Sequence, residues 1–220
     1  MKTVVISHNN NPEYAFFEPI VRFAWERLGW DVLTLVTDSV ITSQCIRLYA
    51  HTCVKPDTLL MTSDIDMLPL SDYWKPDAKE ITCYGRNLSR EHQPICYIAM
   101  TAKNWKHVMG DDMKADIAHF GESWTTDQDI VTAKLSGFVR KEIDRPISPL
   151  TGYPVGRIDR SAWDKSLQQT ERIDAHLLRP GWTPENWSKI IELIQDCLHP
   201  TIEELHALHQ HQRTWSRLHS

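Results

Sequence analysis

The chain has 220 residues, of which 41% are hydrophobic and 24% are charged, and its formal net charge at pH 7 is -5. This length suits one well-buried core or one domain with an appendage, and the composition is ordinary for a globular protein in water. The negative net charge and the lack of a long basic run argue against a protein that binds the nucleic-acid backbone.

Two further classes are disfavoured by the sequence. No apolar stretch approaches the length needed to span a membrane, and the apolar start Met1–Ile6 reaches polar residues too soon to be a signal peptide. The five cysteines are Cys45, Cys53, Cys83, Cys96 and Cys197. Their odd number and the lack of a C-x-x-C pair argue against a zinc ribbon and favour free thiols in a reducing compartment. We therefore expect a cytoplasmic protein.

The first third of the chain alternates between apolar runs and helical patterns. Strands are predicted over 3–7, 32–36 and 59–61, and helices over 13–28 and 42–51. The first helix has apolar residues such as Ile20 and Ala24 at helical spacing, and Gly29 suits its C-terminal end. This order favours parallel pairing, so we predict an α/β fold of Rossmann-like type, with a mainly parallel central sheet flanked by helices.

The rest of the chain predicts shorter strands and a helical tail. Further strands are predicted over 81–85 and 95–100, a helix over 104–109, and loops with short strands over 140–164. Thr125 or Thr126 can cap a helix whose apolar face includes Ile130 and Leu135. The last predicted elements are helices over 184–198 and 201–211. We therefore divide the chain into a main domain, residues 1–182, and a C-terminal helical extension, residues 183–220.

Two carboxylates one residue apart follow the third predicted strand, in Asp64-Ile65-Asp66. In an extended segment both side chains project to the same side, and ligands bind at the carboxyl ends of strands in open α/β sheets. Such a pair can hold a divalent cation that neutralises a phosphate-bearing substrate. The alternative interpretation is a pair of turn-forming aspartates at a strand end.

Three other motifs carry side chains suited to the same chemistry. His176 precedes the turn Pro180-Gly181-Trp182, far downstream of the aspartates. Asp127-Gln128-Asp129 opens a predicted helix, where acidic residues also complement the helix dipole without any function. Arg47 lies shortly before the third strand and suits carboxylate or phosphate binding, although a solvated helix arginine is an equally good interpretation.

Together these motifs resemble those of glycosyltransferases with the GT-A fold, in the retaining families that use a nucleotide-sugar donor. The resemblance covers about residues 1–182 and implies that Asp64, Asp66 and His176 bind Mn²⁺, or Mg²⁺, on the donor diphosphate. A histidine ligand favours Mn²⁺ over Mg²⁺. The chain departs from these families at Arg179, where lysine is common.

The resemblance also assigns roles to other residues. It implies that Asp127, Gln128 and Asp129 act beside the transferred sugar. The residues that it places at the donor nucleotide or its phosphates are Ser7, His8, Asn9, Asp38, Arg47, Asp64, Ile65, Arg179 and Gly181. The predicted function is therefore transfer of a sugar, glucose or a deoxyhexose such as rhamnose, from a UDP-sugar to a glycan acceptor, with retention.

Within these families the chain is similar to N-terminal glycosyltransferase domains of multidomain enzymes from chloroviruses. This implies a glycan acceptor on a capsid glycoprotein, a location in the cytoplasm of an infected host cell, and a further domain after the helical extension. Two alternatives are a phosphatase or phosphotransferase in which the first aspartate of the pair is the nucleophile, and a UDP-sugar-binding module without turnover. A plain scaffold domain is a third alternative.

Overall fold

The computed structural model describes residues 1–89 and 91–219. Its strands are β1 (Lys2–Asn9), β2 (Asp31–Thr37), β3 (Leu59–Thr62), β4 (Met67–Pro69), β5 (Thr82–Tyr84), β6 (Ile98–Thr101), β7 (Lys141–Ile143), β8 (Arg157–Asp159) and β9 (Asp174–His176). Its α-helices are α1 (Pro12–Ala15), α2 (Glu18–Arg27), α3 (Val40–Cys45), α4 (Ala102–Met109), α5 (Met113–Phe120), α6 (Thr126–Leu135), α7 (Trp163–Ser166), α8 (Pro184–Leu198) and α9 (Ile202–Leu218). Short 3₁₀ helices cover Ile46–Cys53, Arg86–Leu88 and Arg160–Ala162.

The chain divides into two compact units. Unit 1 comprises Met1–Asn10, Trp30–Asp64 and Lys75–Pro146, and unit 2 comprises Asn11–Gly29, Ile65–Trp74 and Ile147–Ser220. The boundary predicted after residue 182 stays a prediction, and Ser220, the last residue of the predicted extension, lies outside the described residues. Within the described part of the chain, no helix combines the length and apolarity needed to cross a membrane.

Unit 1 is built on a six-stranded sheet with the order β2-β1-β3-β6-β5-β7. The strand β1 pairs in parallel with both β2 and β3, which confirms the parallel pairing predicted for the first three strands. The strand β6 runs antiparallel between β3 and β5, and β7 pairs in parallel with β5 at the edge. The mixed α/β class and the mainly parallel sheet are therefore confirmed.

Apolar side chains fix the helices of unit 1 against this sheet. Val5 on β1 and Leu60 on β3 share one buried core with Trp105 from α4 and Ile130 from α6. The buried indole of Trp105 donates a hydrogen bond of 3.3 Å to the carbonyl of Leu60, so its polar atom is satisfied. This packing holds the start of α6 at a fixed place in unit 1.

Some predicted helices differ from the observed ones. The helix predicted over 13–28 is two helices, α1 and α2, because Pro19 lies in the first turn of α2, where its missing N–H is tolerated. The helix predicted over 42–51 is α3, capped by Ser39, followed by a 3₁₀ helix. The last helix continues beyond residue 211 to Leu218, and a capping box of Thr201 and Glu204 defines its start.

Unit 2 contains a three-stranded sheet with the order β4-β9-β8. The central strand β9 runs antiparallel to β4 and parallel to β8. His176 at the end of β9 is in register with Met67 on one side and with Asp159 on the other. This register brings the residues around the end of β9 close together, although each strand has only three residues.

An aromatic cluster anchors α9 within unit 2. Phe16, which is fully buried, makes edge contacts with the rings of Trp182, Trp187 and Trp215, at centroid distances of 5.8, 6.1 and 5.9 Å. The ring of His211 stacks on Phe16 at 5.0 Å, and its Nε2 lies 2.8 Å from the carbonyl of Phe16. These ring contacts therefore hold α9 in place close to the turn Pro180-Gly181-Trp182.

We expect Gly181→Ala to destabilise the protein by about 1–3 kcal/mol, because overpacking a filled core costs about that much. A Cβ atom at residue 181 would lie 2.5 Å from Phe16 Cε1 and 2.6 Å from Phe17 Cε1, and both rings are fully buried. Chemical denaturation measures the loss. Gly137→Ala is the matched control, because nothing lies within 4 Å of its added Cβ. Equal stability of the two variants would contradict the prediction.

We expect His211 to make the protein less stable as the pH falls from 8 to 5. Burial lowers the pKa of His211 and outweighs the opposing effects of the Phe16 carbonyl and Glu18. The folded state therefore favours the neutral ring, which contributes to the free energy of unfolding. This contribution is complete above the unfolded pKa of about 6.5 and is lost as the pH drops below it. The stability difference between wild type and His211→Gln should shrink at pH 5. His206→Gln, at an exposed position of α9, should follow wild type.

Candidate functional site

A buried arginine connects two of the predicted motifs in unit 1. The guanidinium of Arg47 donates to Asp64 and to the carbonyl of Ser63 (3.1 Å) through Nη1, and to Asp127 Oδ2 through Nη2 (2.8 Å). The side chains of Arg47 and Asp127 are only 7% and 4% exposed, whereas that of Asp64 is 36% exposed. The structure therefore brings together three predicted residues that lie far apart in the sequence.

Burial controls the electrostatics of this network. It raises the pKa of Asp127, and the charge and hydrogen bond of Arg47 only partly offset this effect. Burial alone would lower the pKa of Arg47, but the charges of Asp64 and Asp127 outweigh this effect and raise the pKa. Nearby, Cys96 Sγ accepts the N–H of Asp64 at 2.9 Å, and burial raises the pKa of this thiol well above its usual value.

Predicted donor residues also meet where β1 and β2 end. The parallel register aligns Ser7 with Leu35 and Asn9 with Thr37, so the carboxyl ends of both strands reach the same edge. Asp38 follows β2 directly and accepts a hydrogen bond of 2.9 Å from Asn10. Ser7 donates to the carbonyl of Ser43, and His8 Nδ1 lies 2.7 Å from the carbonyl of Asn9. Ser7, His8, Asn9 and Asp38 thus lie at the carboxyl ends of these two strands, and their nucleotide role stays a prediction.

The tripeptide Asp127-Gln128-Asp129 forms the first turn of α6, as predicted. Asp129 accepts a hydrogen bond of 2.9 Å from Thr125 Oγ1, and its other oxygen lies 2.9 Å from His92 Nδ1. Thr125 occupies the N-cap position, but its hydroxyl bonds to Asp129 rather than to the backbone of the first turn. Asp127 therefore faces Arg47, Gln128 is half-buried between its neighbours, and Asp129 faces His92.

A second charged group, which we call the Asp66 cluster, lies within unit 2. It consists of Asp66, Asp159, Arg160, His176 and Arg179. Asp66 Oδ2 lies 2.9 Å from Arg160 Nη1, 3.4 Å from His176 Nε2 and 4.0 Å from Arg179 Nε. The other imidazole nitrogen, Nδ1, lies 3.3 Å from Asp159 Oδ2. The structure therefore brings Asp66 and His176 into contact, although they are far apart in the sequence.

Short elements deliver these side chains. Asp66 immediately precedes β4, and its carbonyl accepts the N–H of Leu177 at 2.9 Å. Asp159 and His176 are the last residues of the neighbouring parallel strands β8 and β9, and Arg160 begins the 3₁₀ helix after β8. Asp159 and Arg160 were missed by the sequence analysis. Their only sequence signal was an acid next to a base in a stretch rich in proline, glycine and arginine.

The charges in the Asp66 cluster compensate one another. Burial would raise the pKa of Asp66, but the hydrogen bond with His176 and the positive charges of His176, Arg160 and Arg179 outweigh it and lower the value to about 2. Burial would lower the pKa of His176, yet its bonds with Asp159 and Asp66 raise it. The cluster therefore presents an ionised carboxylate between an imidazole and two guanidinium groups.

Three further predicted residues have defined surroundings. Ile65 is buried, 5% exposed, and begins the segment Ile65–Trp74 of unit 2, so Asp64 and Asp66 belong to different units. The guanidinium of Arg179 lies over the ring of Tyr14, 4.9 Å from its centroid, and donates to the Tyr14 hydroxyl. Gly181 packs against aromatic rings. Over residues 1–89 and 91–219, no group of three or more His, Cys, Asp or Glu side chains is arranged to hold a metal ion.

Sequence comparisons identify no relative: no protein-family model matches the chain, and no curated protein matches it. Solved structures do match. The bifunctional glycosyltransferase WbbM matches with a TM-score of 0.56 and 12% identity, over 96% of this chain and 51% of that one. The galactosyltransferase LgtC, solved with donor and acceptor sugar analogues, matches with a TM-score of 0.52 and 12% identity, over 94% of this chain and 99% of that one.

A third match is the glycosyltransferase involved in glycosylation of the major capsid of PBCV-1, with a TM-score of 0.48 and 12% identity, over 87% of this chain and 98% of that one. At these identities the likeness concerns the fold alone. The WbbM and LgtC matches have TM-scores above 0.5 and agree with the mixed sheet described above. The chain therefore has the GT-A fold of these glycosyltransferases.

Proposed function

We propose that the protein is a metal-dependent glycosyltransferase that moves a sugar from a UDP-sugar to a glycan acceptor, with retention. The observation that carries this proposal is the contact between Asp66 and His176, with two arginines beside it, in a chain with the GT-A fold. An acid, an imidazole and two guanidinium groups suit a diphosphate accompanied by a divalent cation. A likeness to LgtC, solved with sugar analogues, supports sugar substrates.

The side chains of the Asp66 cluster fit a cation shared with a substrate. Asp66 Oδ2 and His176 Nε2 are 3.4 Å apart, a separation compatible with two ligands that each lie about 2.1 Å from one ion. A cation that also binds phosphate oxygens needs only one or two protein carboxylates, so a complete cage of three protein ligands is not required. Asp64, the other predicted ligand, precedes Asp66 by two residues. Carboxylate with imidazole favours Mn²⁺ over Mg²⁺.

The cation, when bound, would neutralise the negative charge that develops on the diphosphate as the glycosidic bond breaks. Arg160 and Arg179 would add fixed positive charge to the same diphosphate, since both already lie beside the Asp66 carboxylate. In unit 1, we propose that Asp127, Gln128 and Asp129 orient the transferred sugar. Arg47 would hold Asp127 in place through its 2.8 Å ion pair. A retaining transferase needs no general base on the far face of the sugar.

The donor and acceptor are proposed from the resemblance in sequence. We propose a UDP-sugar carrying glucose or a deoxyhexose such as rhamnose, with Ser7, His8, Asn9 and Asp38 at the nucleotide. We propose a capsid glycan as the acceptor. The identity of the acceptor determines specificity and not the class of reaction. Donor binding and donor turnover are therefore tested first.

The proposal predicts that UDP and MnCl₂ together raise the melting temperature of the protein, since a ligand that binds the native state stabilises it. UDP-glucose and UDP-rhamnose are then tested as donors by release of UDP. Release of phosphate from phosphate esters would instead support the phosphatase alternative. A thermal shift without any turnover of either donor would support a binding module. No shift with UDP and manganese would contradict the proposal.

A further inference from the structure

A pocket of about 440 Å³ lies in unit 1, apart from the residues assigned to the donor. We call it the basic pocket. Two segments that lead into neighbouring strands line it: Lys79–Ile81 precede β5, and Phe138–Arg140 precede β7. The helix α4 contributes Asn104, His107 and Val108. The volume falls within the range of pockets that hold small molecules.

The basic pocket lies at the opposite edge of the sheet from the proposed nucleotide residues. The strand β6 runs antiparallel to both β3 and β5, so β5 has the same direction as β3 and β1. The strand β7 is parallel to β5, with Lys141 beside Thr82. The pocket is therefore at the amino ends of β5 and β7, whereas Ser7, Asn9 and Asp38 lie at the carboxyl ends of β1 and β2. A ligand in this pocket would occupy a site separate from that of the donor.

The charged side chains that line the basic pocket favour an anion. Lys79, Arg140 and Lys141 line it together with one carboxylate, that of Glu80. Three positive charges and one negative charge give the lining a net charge of +2 with His107 neutral, in a chain whose net charge is -5. A concave site with one sign of charge concentrates ligands of the opposite sign.

The two lysines are the cations that a ligand would meet. The Nε of Arg140 donates to Glu142 Oε1 at 2.9 Å, and its Nη1 donates to a backbone carbonyl at 2.9 Å, so this side chain is already paired. Lys141 Nζ lies 3.9 Å from Glu80 Oε2, and these side chains are 56% and 48% exposed, so this ion pair is weak. Lys79 is exposed on the segment before β5.

Apolar side chains form the inner part of the basic pocket. Ile81 and Val108 are each 7% exposed and belong to the core of unit 1, and Phe138 packs against the same core. The rings of Phe138 and His107 meet edge to face, with centroids 5.3 Å apart. Val139 is 97% exposed and extends the apolar lining to the solvent. A ring or an aliphatic chain therefore finds apolar contacts between the sheet and α4.

We infer that the basic pocket binds a small organic phosphate. Its phosphate group would lie beside Lys79 and Lys141, and its ring or chain would lie against Ile81, Val108 and Phe138. A phosphate monoester carries about 1.5 to 2 negative charges at pH 7, which two lysines match better than they match the single charge of a carboxylate. The inference is independent of the proposed function, because the pocket shares no residue with the proposed donor site.

The test is a titration followed by ¹H–¹⁵N spectra of the whole chain at pH 7 and low ionic strength. Phenyl phosphate combines both features of the inferred ligand, benzoate replaces the phosphate by a carboxylate, inorganic phosphate lacks the ring, and benzyl alcohol lacks the charge. We expect phenyl phosphate to bind most tightly, with a dissociation constant on the order of 1 mM for so small a probe. The amide shifts should cluster at residues 79–81, 104–108 and 138–141.

Charge variants at exposed positions test the lysines without disturbing the core. Lys79→Gln/Lys141→Gln should raise the dissociation constant of phenyl phosphate about 5- to 20-fold, since each exposed charge contact contributes about two- to fivefold. Lys106→Gln is the matched control, because it removes a charge from α4 at a side chain that is 65% exposed and lies outside the lining. Val139→Glu places a negative charge at the pocket and should weaken binding about two- to fivefold more than Val139→Gln.

Each of four results would overturn the inference. They are an absence of amide shifts with every probe, shifts confined to residues 7–9 and 38, binding of benzoate or inorganic phosphate as tight as that of phenyl phosphate, and a double lysine variant that binds like wild type. Amide signals far from the pocket that keep their wild-type positions show that the variants are folded. No donor, acceptor or metal ion enters these titrations, so their outcome does not depend on the glycosyltransferase proposal.

Discussion

Replacing Arg47 by methionine is expected to lower the free energy of unfolding by about 3–5 kcal/mol, because removing one member of a buried ion pair leaves the other charge unpaired. The Asp127 side chain is 4% exposed and would lose its cationic partner Arg47, whereas Asp64 is 36% exposed and is partly solvated. Burial already raises the pKa of Asp127. The loss of stability should therefore be largest at neutral pH, where that carboxyl is ionised. Denaturant unfolding at pH 7 measures it.

Two comparisons show whether the loss comes from the buried charge. The double variant Arg47→Met/Asp127→Asn removes both charges of the buried pair and should recover part of the lost stability. Lys106→Met removes the cation of an exposed pair in unit 1, with side chains 65% and 57% exposed, and should change stability by less than about 1 kcal/mol. If Arg47→Met unfolds at the same denaturant concentration as Lys106→Met, the network has no structural importance.

The alternating elements of the first third of the chain could be predicted because each carries a strong local signal. The strand β1 contains the buried apolar run Val4–Ile6, and α2 has its buried residues at helical spacing. Strand–helix alternation then restricts the pairing to parallel neighbours. Residues 184–198 were also predicted correctly, since Thr183 caps α8 and Pro184 begins it.

The elements around the Asp66 cluster could not be predicted in the same way. The strands β4, β8 and β9 have three residues each, too few to show a period, and exist because they pair with one another. The helix α5 was also missed, since none of its residues is fully buried and its apolar pattern is weak. Local sequence carries little information where a segment is defined by its neighbours.

The motifs of the candidate site were recognised from the sequence, but not all of their partners were. Asp66 and His176 were predicted to act together, and the structure places them in contact. The sequence did not show that Arg47 would join Asp127, because 80 residues separate them and only the packing of α6 brings them together. Asp159 and Arg160 belong to no recognised motif, so only the register of β8 and β9 reveals them.

Asp66→Ala is expected to lower the rate of UDP release from the donor at least about a thousandfold, equivalent to about 4 kcal/mol of transition-state stabilisation. The side chain is 9% exposed and is the acceptor to which Arg160, His176 and Arg179 all lie close. Its removal eliminates a proposed cation ligand and leaves these three side chains without their shared partner. Steady-state assays with UDP-glucose and UDP-rhamnose at saturating MnCl₂ measure the effect.

The loss of activity in Asp66→Ala must be separated from a loss of stability. The pKa of Asp66 is lowered to about 2, so its ionised form stabilises the native state at neutral pH, and that contribution disappears with the carboxylate. Assays are therefore run well below the melting temperature of the variant. Asp164→Ala, at an exposed position of unit 2, should keep the wild-type rate. An Asp66→Ala protein that is folded and turns over the donor at the wild-type rate would show that this carboxylate has no part in the reaction. The result would exclude a role as a cation ligand and also a role in positioning other groups.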